Sequence, residues 1–221
     1  RRTKYSSSLQ VAFHYNSFMR RLDKIMWAAW PLLIFAIFAA CSARRTEDSE
    51  FKNSVLRARR ERDQAFKSDG GSPIPEEDKA RFQGLAYFDV NPDLRFKVKL
   101  NRYPNPQSIR IGTNTSEIRS GLRYGYFEFQ VSGKNCRLQV YRLDDALDSG
   151  APNLFIPFRD ATSGRESYGS GRYLDLHENT SGMYELDFNQ AYNPSCAYGK
   201  GGYSCPLPPA ENTLAVPIAA G

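Results

Sequence analysis

Histidine is almost missing from this sequence. Of 221 residues only His14 and His177 are histidine, and only His177 lies beyond residue 40. The four cysteines, Cys41, Cys136, Cys196 and Cys205, are scattered except for the last pair. A zinc site needs about four ligands at short spacings, so the expectation is no metal site and no cofactor. Both tryptophans, Trp27 and Trp30, fall in the first 40 residues. No P-loop is present, and Gly169-Ser170-Gly171 lacks the third glycine of a dinucleotide fingerprint.

An excess of one charge is also missing from most of the chain. The net charge is +6, but residues 1–40 hold six basic side chains against Asp23 alone. The remaining 181 residues carry 24 basic and 23 acidic groups. A nearly neutral body has no general attraction for a polyanion, so nucleic acid is not an expected partner.

What is present begins with the leader. Arg20, Arg21 and Lys24 precede an apolar run from Ile25 to Ala40 that ends in small residues before Cys41. A basic start, an apolar middle and a small-residue exit make a signal-peptide layout. At sixteen residues, with Pro31 inside it, the run is short of the roughly twenty that span a bilayer. Phe38-Ala39-Ala40-Cys41 resembles the lipobox of bacterial lipoproteins, although Phe38 stands where leucine is usual. The resemblance implies cleavage before Cys41, acylation of its thiol and a membrane partner reached through a lipid anchor. The alternative is an uncleaved single-pass anchor. The expected organisation is a leader over residues 1–40 with its start at Met19, a tether over 41–50, and one β-rich domain over 51–221.

Within 51–221 the period of the apolar residues changes once. Phe51 to Phe66 is rich in helix formers, with Phe51, Val55, Leu56, Ala58, Ala65 and Phe66 as the apolar face and Arg57, Arg59, Arg60 and Arg62 as a solvated one. Pro75-Glu76-Glu77-Asp78 opens a second short helix, expected to end between Phe82 and Leu85. After that the repeat is two residues. Leu94, Phe96, Val98 and Leu100 alternate with Arg95, Lys97, Lys99 and Asn101, and Phe127, Phe129 and Val131 alternate with Glu128 and Gln130. Ser132-Gly133-Lys134-Asn135 reads as a hairpin turn before Cys136, Leu138 and Val140. Further strands are expected at Leu154 to Pro157, Arg172 to Leu176, Tyr184 to Phe188 and Leu214 to Ile218. The fold class is therefore mainly β, a single antiparallel barrel or sandwich preceded by one or two short α-helices.

The stretches SPIPEEDKARFQGLAYF (72–88), PFRDATSGRESYGSGRYLDL (157–176), DFNQAYNPSCAY (187–198) and YSCPLPPAENTLAVPIAAG (203–221) resemble domain of unknown function family 1684 of bacteria and archaea. The similarity runs from about Phe51 to the end. It implies a compact domain whose loops include Arg159, Asp160, Tyr168, Arg172, Tyr173, Asn193, Cys196, Cys205 and Asn212. No activity comes with it.

The loops after Phe155 hold the candidate chemistry. In an oxidising envelope Cys196 and Cys205, with Gly201 and Gly202 between them, form a disulfide; free thiols and a metal pair are the rival readings. Arg159, Asp160, Glu166 and Arg172 could join a carboxylate acid or base to an anion-holding guanidinium, or act as loop-corner ion pairs and caps. Tyr168, Tyr173, Tyr184, Tyr192, Tyr198 and Tyr203 offer flat faces with polar tips, for a ligand or for loop packing. The candidate polar site is Arg159, Asp160, Glu166, Tyr168, Arg172, Tyr173 and Asn193. Two functions are open: a lipid-anchored, extracytoplasmic binding or structural module of the cell envelope, and an envelope hydrolase built on Arg159, Asp160, Glu166 and Arg172. They are told apart by whether these side chains and Tyr168 converge on one concave pocket, which favours the enzyme, or point singly into neighbouring backbone.

Overall fold

The central hairpin closes through two residues with left-handed backbone, Ser132 (φ 49°) and Gly133 (φ 74°). Positive φ at both positions matches the twist of the strands it joins, so the pairing starts at Val131 and Lys134 without slack. These residues belong to a computed structural model that describes residues 45–144 and 153–221. The hairpin strands β3 (Ile118–Val131) and β4 (Lys134–Leu143) are flanked by β2 (Asn101–Gly112), β5 (Leu154–Phe158) and β6 (Arg172–Leu176) in one antiparallel sheet, ordered β2-β3-β4-β5-β6. Pro104 and Pro106 lie where the β2 ladder is interrupted, between Arg102 and Gln107. Neither has an N–H to contribute there.

A second sheet pairs β1 (Arg95–Lys99) with β7 (Met183–Asp187), from Arg95 opposite Asp187 to Lys99 opposite Met183. Its inward residues Val98, Tyr184 and Leu186 meet Phe127, Leu138, Val140, Leu154, Ile156 and Phe158 of the larger sheet in one buried core. Phe188 sits at the junction, with ring centroids 5.4 Å from both Phe129 and Phe158. The β2 and β6 edges do not pair, so the expected alternative of barrel or sandwich resolves to a sandwich-like arrangement. Cys136 is buried on the apolar side of β4, as its alternation predicts.

The chain divides into a unit of Arg1–Phe51 and one of Lys52–Gly221. Only residues 45–51 of the first unit are described, and they are helical, including positions 45–50 that composition assigns to a tether. The leader, Met19 and Cys41 lie outside the described residues. The helix, α1, runs over residues 45–68. Its arginine face is not uniformly solvated as expected. Arg57 and Arg60 are exposed, but Arg59 is buried and donates from Nη1 to the Phe88 carbonyl at 2.7 Å. The second helix, α2 (Glu76–Lys79), stops earlier than predicted. Past Lys79 the amides of Arg81 and Phe82 bond only three residues back, to Asp78 O (3.0 Å) and Lys79 O (3.2 Å), so the i to i−4 ladder has already ended.

The last predicted strand is also corrected. Leu214, Val216, Ile218 and Ala220 are buried while the residues between them are exposed, yet the segment joins neither sheet. Pro217 lacks an amide, and the neighbouring amides find partners outside a ladder. Leu214 N donates to Arg159 O at 2.8 Å and Ile218 N to Asp160 Oδ2 at 2.7 Å. The apolar side chains thus close the core through a strap instead of a strand.

Candidate functional site

Asp160 is the most heavily engaged side chain in the predicted group. Its carboxylate is fully buried, and Oδ1 accepts from Thr162 Oγ1 (3.0 Å), Ser163 Oγ (3.2 Å) and Arg172 Nη2 (3.2 Å). Oδ2 accepts from the amides of Thr162 (3.2 Å) and Ile218 (2.7 Å) and also from Thr162 Oγ1 (2.9 Å). Arg172, equally buried, also donates from Nη2 to Ile218 O at 2.8 Å and from Nη1 to Ala220 O. Asp160 and Arg172 therefore latch the 214–220 strap onto the sheet. A buried ion pair is stable only when its remaining donors and acceptors are filled, and the Asp160 oxygens meet that condition.

The residues between the two latch partners form a tight loop. The amides of Arg165 (3.0 Å), Glu166 (2.9 Å) and Ser167 (3.1 Å) all point at the Thr162 carbonyl, and Gly164 N donates to Ser167 O at 2.9 Å. Ser167 Oγ is paired with Thr162 Oγ1 at 2.8 Å. This turn presents Arg165, Glu166, Ser167 and Tyr168 to one side, where they line a pocket of about 290 Å³. Arg172 reaches the same pocket from behind, held between Phe88 and Phe158 with its Cζ 5.5 and 5.2 Å from their ring centres. Its Nε has no hydrogen-bond acceptor. Burial lowers the Arg172 pKa from its ordinary value, and Asp160 opposes that shift.

The opposite wall comes from far away in sequence. Arg62 projects from α1, with its guanidinium 5.7 Å from the Tyr192 ring centre. Leu85, Tyr87 and Phe88 arrive on a strap fixed at both ends: Phe88 N donates to Gly221 O at 2.9 Å, and Tyr87 Oη donates to Asp63 Oδ1 at 3.0 Å. Asn193 and Tyr198 complete the rim from the 191–198 turn. Burial raises the Tyr87, Tyr192 and Tyr198 phenols above their ordinary value of 10.0. These hydroxyls stay protonated at neutral pH and can donate hydrogen bonds.

Of the seven predicted residues, Glu166, Tyr168, Arg172 and Asn193 meet at the pocket. Arg159 does not. Its backbone brackets Asn212 and Leu214, in a parallel bridge with Thr213. Asp160 is sealed behind Arg172. Tyr173 packs against Phe155 (4.8 Å) and Tyr192 (5.7 Å), and its hydroxyl donates to Pro206 O. Sequence reasoning missed Arg62, Tyr87 and Phe88 as pocket residues. Arg62 was visible only as one arginine among four, and no period marks the 85–88 strap.

Two loop features brace this end of the molecule. Cys196 and Cys205 form a disulfide with a Cα separation of 6.3 Å. Asn212, with no exposed surface, receives Gln139 N at 2.7 Å and donates to Gln139 O (3.0 Å) and Pro157 O (2.7 Å). Its amide thereby joins β4 to β5, which share a single paired position, Tyr141 with Phe155. No group of three or more His, Cys, Asp or Glu among the described residues is placed to hold a metal ion.

A family model described as "Protein of unknown function (DUF1684)" matches residues 80–221. The solution NMR structure of an uncharacterized protein from Haloarcula marismortui is similar, at 36% sequence identity and a TM-score of 0.59, over 79% of this chain and 95% of that one. No curated protein matches.

Proposed function

This chain belongs to the family described as protein of unknown function DUF1684, and from that footing we propose that it is a membrane-tethered, extracytoplasmic domain that binds a small ligand in the Arg62–Tyr168–Tyr198 pocket. One observation carries the reading. Four predicted site residues converge on a concavity while Asp160, the carboxylate a hydrolase would need, has both oxygens filled by protein donors. A general acid or base has to reach a substrate proton, directly or through one water. Asp160 has no exposed side-chain surface from which to do so. Glu166, the one carboxylate side chain lining the pocket, has Ser167 beside it, whose Oγ is hydrogen-bonded to Thr162 Oγ1. The binding reading therefore outranks a hydrolase built on Arg159, Asp160, Glu166 and Arg172.

The location rests on chemistry at two places. The basic and apolar leader ending at Cys41 supports export and acylation. The Cys196–Cys205 pair supports an oxidising compartment. Among the described residues no helix is long and apolar enough to cross a membrane.

The pocket is tested by blocking it. Ala86 lies on its rim and is exposed, so Ala86→Trp fills space without disturbing the core. A compound found by screening a broad small-molecule library against the wild-type protein should lose at least about tenfold in affinity to this variant. Unchanged affinity for every compound found would place binding elsewhere and remove the reading. For the tether, a labelled fatty acid should mark the wild-type protein and miss Cys41→Ala. Label in both would remove lipidation at that cysteine.

A further inference from the structure

The chemistry of the pocket wall narrows what it can hold. Arg62 and Arg165 line it and form no ion pair with any described residue. Arg172, almost wholly buried, adds an Nε–H with no acceptor. Arg172 is already balanced by Asp160, so the guanidinium groups of the lining without an ion-pair partner are those of Arg62 and Arg165, set against the side-chain carboxylate of Glu166. Guanidinium forks match carboxylate and phosphate oxygens, and they do so more strongly where water is partly excluded. The remaining lining is flat. Tyr168, Tyr192 and Tyr198 present rings, and Arg62 already lies over one of them. Rings of this kind favour a planar partner, stacked or edge-on. The volume of about 290 Å³ lies at the small end of ligand pockets and suits a molecule of about one ring with a charged substituent.

We infer that the ligand is a small planar molecule carrying one oxyanion, an aromatic carboxylate or phosphate monoester, with the oxyanion on Arg62 and Arg165 and the ring among the tyrosines. This rests on the reading of the pocket as a binding site. Glu166 then sets selectivity: it repels negative charge, and so weighs more against a phosphate monoester, which carries close to two charges at neutral pH, than against a carboxylate.

The test uses the full 221-residue chain and five probes: benzoate, phenyl phosphate, acetate, benzyl alcohol and benzylamine, titrated by following tyrosine ring resonances. Benzoate or phenyl phosphate should bind at the pocket, and whichever is tighter identifies the oxyanion. Acetate, lacking the ring, and benzyl alcohol, lacking the charge, should each bind at least about tenfold more weakly. Arg62→Gln should weaken the best probe about ten- to a hundredfold, as expected for one charge-assisted hydrogen bond. Glu166→Gln should tighten it. Benzylamine or benzyl alcohol binding as tightly as benzoate overturns the inference, as does weaker anion binding in Glu166→Gln. If none of the five shifts a pocket resonance the inference also falls. The broader reading falls only if compounds from the unbiased library avoid the pocket as well, so the two failures are told apart.

Discussion

The latch and the pocket are made from one stretch of chain, residues 157–176, and differ mainly in how their polar atoms are used. In the latch, Asp160 and Arg172 are buried, and Asp160 is fully engaged by six hydrogen-bond contacts, to Thr162, Ser163, Arg172 and Ile218. A few residues on, Arg165 and Glu166 are exposed and their side chains form no ion pair among the described residues. Charged residues of the same kinds thus serve opposite purposes. A buried charge must have its partners built in, because desolvation costs several kcal/mol. An exposed charge keeps its water and can exchange it for a ligand. Arg172 belongs to both regions: its two Nη atoms hold the strap, and its Nε is left facing no acceptor.

The sharpest way to separate the two regions is Asp160→Ala. It strands a buried guanidinium and frees the Ile218 amide, and removal of one partner from a buried pair costs about 3–5 kcal/mol. Urea denaturation should show a correspondingly lower midpoint. Adding Arg172→Met to Asp160→Ala removes the stranded charge and should recover part of the loss. If the single variant were as stable as the wild type, the latch would be no different in kind from the pocket rim. Next in size is the disulfide. Replacing Cys196 and Cys205 by serine opens a loop with sequence separation 9, and the chain-entropy model sets the cost at about 2.7 kcal/mol. The same loss should follow from reductant on the wild-type protein, and no change in melting temperature on reduction would mean the pair contributes nothing.

Much of the scaffold side of this comparison is legible in the sequence, and less of the pocket side. The two-residue repeat at Leu94 to Leu100 and Phe127 to Val140 shows because these strands bury one face and, Gln139 apart, leave the other more open to water. The same alternation misleads at Leu214 to Ile218, where buried and exposed residues alternate without a ladder, since side chains report burial and not the partner of the backbone. Asp160 and Arg172 stand out as an acid and a guanidinium, but their burial depends on the strap that returns from residues 214–220. Arg59 and Arg62 are alike in sequence and three residues apart. Only the arrival of the 85–88 segment buries one and leaves the other on a pocket wall.

The smallest effect tests the border between the two regions. Tyr192 lines the pocket, and its hydroxyl donates inward to Asp175 Oδ2. Asp175 is unlike Asp160. Burial raises its pKa above the ordinary 3.8, and the Tyr192 hydrogen bond and nearby His177 only partly offset that. The folded state therefore holds this proton more tightly than the unfolded chain does. Between the unfolded value near 3.8 and the higher folded one, the folded form binds more protons, so stability falls as pH rises through that window. Asp175→Asn keeps an oxygen for Tyr192 and carries no charge. It should match the wild type below the window and exceed it in stability above, which paired urea midpoints from pH 3 to 7 would measure. A variant less stable than the wild type at pH 7 would mean that the Asp175 charge is as well satisfied as that of Asp160, and the fully paired region would then extend to the pocket wall itself.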